Sequence, residues 1–267
     1  MIDATRVAPG SPPRLTERDP RAELGLGSKD TAKQIRGDLG KRLSTLQGRL
    51  FAESERSVLL VLQGLDASGK DGVIRRVFEG VNPMGVHVTS FRAPTEKERA
   101  HDYLWRIHAE LPPRGHMGVF NRSHYEDVVA VRMHALAPEE VWRQRPGHIC
   151  DWERMLVDEG TTIVKVFLHV SKEEQRKRFQ ERVDDPEKRW KFRTADLDVR
   201  KRYDEYVAAW EEVLHETSTE WASWHVVPAD RNWVKSTAVA TLLVDTLERL
   251  DPKLPEPEPG VEGLVIE

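Results

Sequence analysis

The chain has 267 residues, with 41 Lys and Arg against 45 Asp and Glu, and 39% of its residues are hydrophobic. That length suits one large α/β domain with its own core, and the net charge of −4 argues against a protein that grips nucleic acid through overall basicity. The single cysteine, Cys150, excludes an internal disulfide and suits a reducing cytoplasm; no apolar run nears the ~20 residues of a membrane span, and Met1 to Pro20 lack the apolar stretch of a secretion signal.

Residues 1–30 are rich in Pro, Gly and charge and are expected to form an extended arm. Between Ile35 and Ser54 the leucines at 39, 43, 46 and 50 have helical spacing. Ser57–Gln63 is a short continuous apolar run, as in a parallel strand buried on both faces. A glycine-containing turn follows, then a helix from about Asp71 to Glu79. The alternation continues with a strand at Val86–Phe91, a helix at Glu96–Leu111 and a strand at Met117–Phe120. Pro138–Glu159 reads as a helix broken near Pro146-Gly147. Next come a strand at Thr162–Val170, a charged helix at Lys172–Arg182, a helix at Asp196–Glu216, a strand at Trp224–Val227 and a closing helix at Trp233–Leu250. The proline-rich acidic stretch 251–267 is expected to be a loose tail. Strands alternating with helices predict an α/β fold, a parallel sheet with helices on both faces. A single domain over residues 31–250 suffices.

Gly64-Leu-Asp-Ala-Ser-Gly-Lys70 has the spacing of a phosphate-binding loop and lies between a buried strand and a helix, where that chemistry needs it. Glycines let backbone wrap phosphate closely, and a helix N-terminus offers free N–H groups and partial positive charge. Gly64, Ala67, Ser68, Gly69, Lys70 and Asp71 are therefore candidate phosphate contacts, with Lys70 reaching the terminal phosphates. The Ser or Thr that usually follows the lysine is replaced by Asp71, which suits either a magnesium role or the dipole of the helix's first turn. Asp66 lies inside the loop, where a carboxylate beside phosphate calls for a cation or a proton between them. It is a candidate metal ligand or general base.

The strand Met117–Phe120 delivers Asn121, Arg122, Ser123, His124, Tyr125, Glu126 and Asp127 at its C-terminal end, where ligands bind in open α/β sheets. Many phosphate-loop enzymes organise magnesium from an Asp here; this chain has Asn121. Arg122 is a candidate for neutralising the transferring group, and a structural ion pair with Glu126 is its alternative. His124 reads as a packing residue. Arg92 closes the preceding strand and is a candidate grip on an acceptor phosphate.

The third cluster is a lid over about residues 171–200. From Arg176 to Arg193 there are eight Lys or Arg and four acids, in a chain whose total is negative. Arg178 and Arg182 are four apart, and like charges at that spacing weaken a helix unless an anion bridges them. Arg189 and Lys191 extend the patch. A helix face stitched by Glu173–Lys177 and Glu174–Arg178 pairs is the plain alternative.

Together, Leu62–Gly72, Phe91-Arg-Ala-Pro94, His101–Arg106, Phe120–Asp127, Ser171–Arg176 and Arg189-Trp-Lys-Phe192 resemble the type-2 polyphosphate kinase family, in matching order from about Gly37 to Leu250. The resemblance implies a P-loop kinase-like fold with a helical lid, Mg2+ (or Mn2+) as cofactor and a homo-oligomer, dimer or tetramer. It implies transfer of the terminal phosphoryl group of inorganic polyphosphate to AMP and/or ADP, with no nucleic-acid or membrane partner. It matches Asp66 and Lys70 to the family's loop residues. It matches Asn121 and Arg122 to a pair that is Asp–Arg in many members, and Arg178 and Arg182 to lid arginines on polyphosphate. Glu126 falls where monophosphate acceptance is decided in the subgroup that takes both mono- and diphosphates, the class III subgroup. With Asn at 121, Asp66 and Asp127 are the expected metal ligands. An ATP-driven nucleotide kinase or a nucleotide-binding regulatory module are the competing readings.

Overall fold

Ser57–Gln63 is buried at every position. The computed structural model, which describes residues 2–261 and 263–266, shows the reason. The segment is the central strand of a five-stranded sheet in which all recorded pairings are parallel. In chain order the elements are α1 (Lys29–Glu53), β1 (Ser57–Gln63), α2 (Lys70–Val77), β2 (Val86–Ser90), α3 (Glu96–Arg99), α4 (Trp105–His108), β3 (Met117–Asn121) and α5 (Glu126–Met133). They continue with α6 (Glu139–Trp142), α7 (Arg145–Asp158), β4 (Thr161–His169), α8 (Lys172–Asp184), α9 (Ala195–Lys201), α10 (Tyr203–Thr217), β5 (Trp224–Pro228) and α11 (Asn232–Leu250).

The strand order is β2-β3-β1-β4-β5. From β1 the chain crosses to the edge strand β2, returns inward to β3 beside β1, and then passes to β4 and β5 on the other side, so the C-terminal end of β1 lies at the topological switch point where open α/β sheets bind ligands. α1 and α2 pack with α11, burying Leu39, Leu43 and Leu50 against a helix whose Val239, Leu243 and Leu247 are also buried. α5, α7 and α10 form a second packed group, with α7 against β4.

Three helices differ from the sequence expectation, each for a local reason. Glu96–Leu111 is two short helices, because the Asp102 carboxylate accepts from the Leu104 and Trp105 N–H groups and restarts the chain at Trp105. The break in 138–159 falls before Arg145, and Pro146 sits in the first turn of α7, where its missing N–H is harmless. The helix expected over 196–216 is interrupted at Arg202, which donates to the Met133 carbonyl at 2.7 Å. The short helix α5 had no counterpart in the sequence expectation. The segment expected as an arm has a 3-10 turn at Asp3–Thr5 and otherwise irregular backbone. It is laid onto the body, with Val7, Leu15 and Leu26 buried. Val7 N–H donates to the Trp224 carbonyl at 2.8 Å.

Under the sheet's active end lies a buried ion pair that spacing did not reveal. Lys165 interrupts the apolar run of β4 and is fully buried. Its three donors are filled by Glu153 at 2.6 Å, Tyr125 at 3.0 Å and the Thr217 carbonyl at 2.7 Å. The network ties α7, β4 and the end of α10 to the loop that carries Arg122. Lys165→Met leaves the Glu153 carboxylate buried without its counter-ion, so urea unfolding should show a loss of ~3–5 kcal/mol. The double variant K165M/E153L should recover most of that loss; equal losses in single and double variants would place the effect elsewhere.

Candidate active site

The loop after β1 turns by three positive-φ residues, Gly64 at 146°, Ala67 at 62° and Gly69 at 97°. At Gly64 a Cβ would stand 2.7 Å from the Leu168 carbonyl oxygen, so the close approach of β4 requires glycine. Gly69 caps α2 without a side-chain hydrogen bond. Among the described residues, no protein acceptor takes the N–H of Gly69, Lys70 or Asp71. These N–H groups, at a helix N-terminus, form an anion site.

Lys70 is buried and folds back to donate to the Gly64 carbonyl at 2.6 Å. Burial pulls its ammonium down to about 8, and Arg122 adds to the pull against Asp66, Glu126 and Asp71. Arg122 stands at φ 63°. Its guanidinium donates to the Asp66 carboxylate. Burial opposes the Arg122 charge, but Glu126 and Asp66 outweigh it and hold the guanidinium more firmly protonated than usual. Glu126 begins α5 and faces the same space. Burial raises its carboxyl above the ordinary range, with Arg122 and Lys70 opposing. Gln63 reaches Glu126 at 3.0 Å when its amide is turned so that its oxygen accepts from the Ser123 N–H.

Gly64, Asp66, Arg122 and Glu126, with Val199 and Tyr206 from the lid side, line a cleft of about 90 Å³. Sites that enclose a whole small molecule run to ~300–1,000 Å³. This one matches a reacting phosphoryl group, so the rest of any substrate must lie beyond it or the lid must move. A wider open depression of about 700 Å³ surrounds Trp142 and carries none of the loop residues.

The other expected residues divide. Asn121 donates to Asp71 at 2.9 Å and to Ser90 Oγ at 3.3 Å, so it orients the loop's second carboxylate. Asp127, expected as a metal ligand, does not line the cleft, and its carboxylate pairs with Arg106 at 3.2 Å. Arg92 is exposed, and its carbonyl accepts from Arg106 at 2.7 Å. Arg178, expected on the lid surface, is turned toward the loop. Its guanidinium donates to the carbonyls of Ala67, Ser68, Ala229 and Asp230 and to the Glu174 carboxylate, at 2.7–3.0 Å. All five donors are used, which leaves none for a phosphate. Arg182 lies over the Phe179 ring at 5.5 Å, Arg189 donates to the Val183 carbonyl, and Lys191 lies over the exposed Trp190. These three keep donors free on the lid.

The Polyphosphate kinase 2 model matches residues 26–255. This chain belongs to the polyphosphate kinase 2 family. It is 52% identical over 263 residues to the AMP/ADP-polyphosphate phosphotransferase of Meiothermus ruber, covering 98% of each chain. It is 43% identical over 267 residues to the ADP-polyphosphate phosphotransferase of Rhodopseudomonas palustris, covering 96% of this chain and 92% of that one. The crystal structure of polyphosphate kinase 2 from Arthrobacter aurescens TC1 superposes with a TM-score of 0.93 at 41% identity, over 97% of this chain and 93% of that one.

In this polyphosphate kinase 2 chain, several site residues escaped the sequence reading. Gln175 donates to the Asp66 carbonyl at 3.1 Å. The Asp230 carboxylate accepts from Ser171 N–H and Oγ at 2.8 and 2.7 Å, anchoring the start of α8. Asp196 on α9 lies in the fields of Asp66, Arg122 and Arg182, and burial raises its carboxyl. Lys235 is buried behind the loop. One signal was available for it: Lys235 shares a helical phase with Val239 and Leu242, an apolar face that should not hold an ammonium. The clamp made by Arg178 is testable. Arg178→Lys has three donors for five acceptors and no planar fork. It should lower the unfolding free energy by ~1–3 kcal/mol and speed amide exchange in residues 64–72; an unchanged loop would show that the clamp is dispensable.

Proposed function

We propose that the chain transfers the terminal phosphoryl group of inorganic polyphosphate to AMP and/or ADP, reversibly. The observation that carries this reading is the convergence of Arg122, Asp66 and Glu126 on one cleft at the phosphate loop, with the buried Lys70 ammonium within their field. It agrees with the activities in the names of the Meiothermus and Rhodopseudomonas relatives.

The donor's terminal phosphate rests on the N–H groups of Gly69 to Asp71. Lys70 exchanges its carbonyl partner for phosphate oxygens. An oxygen of the acceptor's last phosphate attacks that phosphorus in line. The new P–O bond forms as the bond to the bridging oxygen breaks, and the electron pair leaves with a polyphosphate one unit shorter. Arg122 offsets charge on the transferring group. Arg182, Arg189 and Lys191 meet the trailing chain, and Arg92 and Asn121 lie toward the acceptor. Glu126, at the cleft, would favour a monophosphate acceptor, as the family resemblance implies.

Among the described residues, no three His, Cys, Asp or Glu group to cage a metal. The carboxylates of Asp66 and Asp71 at the loop would suit Mg2+, which is held by one or two carboxylates plus substrate phosphates; Mn2+ is the alternative. Asp66 would hold it in part, with Asp71 nearby, and the ion would neutralise phosphate charge. The proposal extends to a homo-oligomeric, cytoplasmic enzyme, which the family resemblance supports. No described helix is long and apolar enough to cross a membrane.

The deciding assay supplies long-chain polyphosphate as sole donor, with Mg2+ and either AMP or ADP. ATP should accumulate from both, and Lys70→Ala should abolish it. Product from ADP alone would remove the role given to Glu126; no product unless ATP is the donor would remove polyphosphate. The Lys70 ammonium also sets a pH limb. It is charged below its pKa, so kcat/KM for polyphosphate should fall as pH rises past about 8. A bound polyanion favours the ammonium, so the limb in kcat should lie at higher pH.

A further inference from the structure

We propose that Lys235 is a positioning residue for the phosphate loop: with Arg178 it holds the Ser68–Gly69 peptide so that its N–H faces the reacting phosphate. The proposal rests on reading the loop as the donor site.

Lys235 lies in the first turn of α11 and is fully buried. It donates to the Ser68 carbonyl at 2.6 Å and to the Ala229 carbonyl at 3.2 Å. Arg178 donates to the same two carbonyls, at 3.0 and 2.7 Å. Two N–H donor side chains from different helices therefore share one loop oxygen. In a trans peptide the C=O and N–H point in opposite directions. Holding Ser68 O against Lys235 and Arg178 turns the Gly69 N–H away from them. The Ser68 carbonyl would otherwise be the acceptor for the Gly72 N–H, one further hydrogen bond at the start of α2. The first such bond recorded is instead Val73 N–H to Gly69 O at 3.1 Å. Taking the Ser68 carbonyl thus keeps α2 from winding back into the loop.

Two further observations agree. A Cβ at position 69 would stand 2.3 Å from Lys235 Nζ, so the lysine fills the space that a side chain would need. Packing alone does not explain an ammonium here, because an apolar side chain would fill the volume without desolvating a charge. Burial, then Arg178 and Arg76, press the Lys235 pKa down to about 6. A neutral amine still has two N–H donors for its two carbonyls, so the grip does not depend on protonation.

The test compares full-length Lys235→Met and Lys235→Gln with wild type. Lys235→Gln, with a shorter amide that can serve one carbonyl, keeps the comparison open if the Met variant folds poorly. Steady-state kinetics with long-chain polyphosphate and ADP should show kcat/KM for polyphosphate lowered at least about tenfold in K235M. The Gln variant should be intermediate, and KM for ADP should be within about twofold of wild type in both. Equal losses on the donor and acceptor sides, or no donor-side loss, would overturn the proposal. A readout independent of the donor is amide exchange without substrate. Ser68 N–H is bonded inside the loop to Leu65 O at 3.0 Å, and its exchange should speed up in K235M while the β1 amides keep their protection. Should wild type turn over no polyphosphate, the functional reading fails and Ser68 exchange alone decides Lys235: faster exchange upholds its role, unchanged exchange rejects it.

Discussion

A backbone that presents its N–H groups to an anion must find partners for the carbonyls that turn the other way. In this chain the Gly64 carbonyl goes to Lys70, the Ala67 carbonyl to Arg178, and the Ser68 carbonyl to Arg178 and Lys235. Much of the surrounding structure follows from that requirement. α8 starts where it does because Asp230 anchors Ser171, and this start places Arg178 beside the loop. α11 begins directly after the β5 turn, and its first turn places Lys235 on the loop's inner side. Elements distant in sequence converge on three carbonyls because a loop with unpaired backbone polar groups would be unstable in a buried place.

The same arrangement sets the electrostatics. Lys70, Arg122, Arg178 and Lys235 crowd one region, and the nearby carboxylates are Asp66, Asp71, Glu126, Glu174 and Asp230. Lys70, Arg178 and Lys235 spend most of their donors on carbonyl oxygens rather than on these acids. The acids that remain have distinct tasks. Asp66 faces Arg122, Asp71 is oriented by Asn121, and Asp127 steadies Arg106 at the base of the loop that carries Arg122.

The lid shows how charge counting can mislead about individual residues. The concentration of Lys and Arg from 176 to 193 is a true feature of the surface, and Arg182, Arg189 and Lys191 keep donors available. Arg178, from the same run, is withdrawn into the body by five hydrogen bonds. Helical spacing places Arg178 and Arg182 on one face but does not say what faces them. Arg178 lies midway along α8, against loop carbonyls, whereas Arg182 lies in its last turn.

By itself the sequence determined the α/β fold, all five strands to within a residue or two, the turn from β1 into α2 and the place of Arg122 after β3. These are local properties. An apolar run, a glycine spacing and a strand that ends in polar residues each follow from neighbours along the chain. Only the tertiary structure decided which charges are free and which are used. Asp127 and Arg178 look available until Arg106 and the loop carbonyls are brought to them, and Lys165 and Lys235 stand out in apolar runs whose partners the sequence does not name. A partner a hundred residues away leaves little trace in local periodicity, because a hydrogen bond constrains two points in space and not the spacing between them.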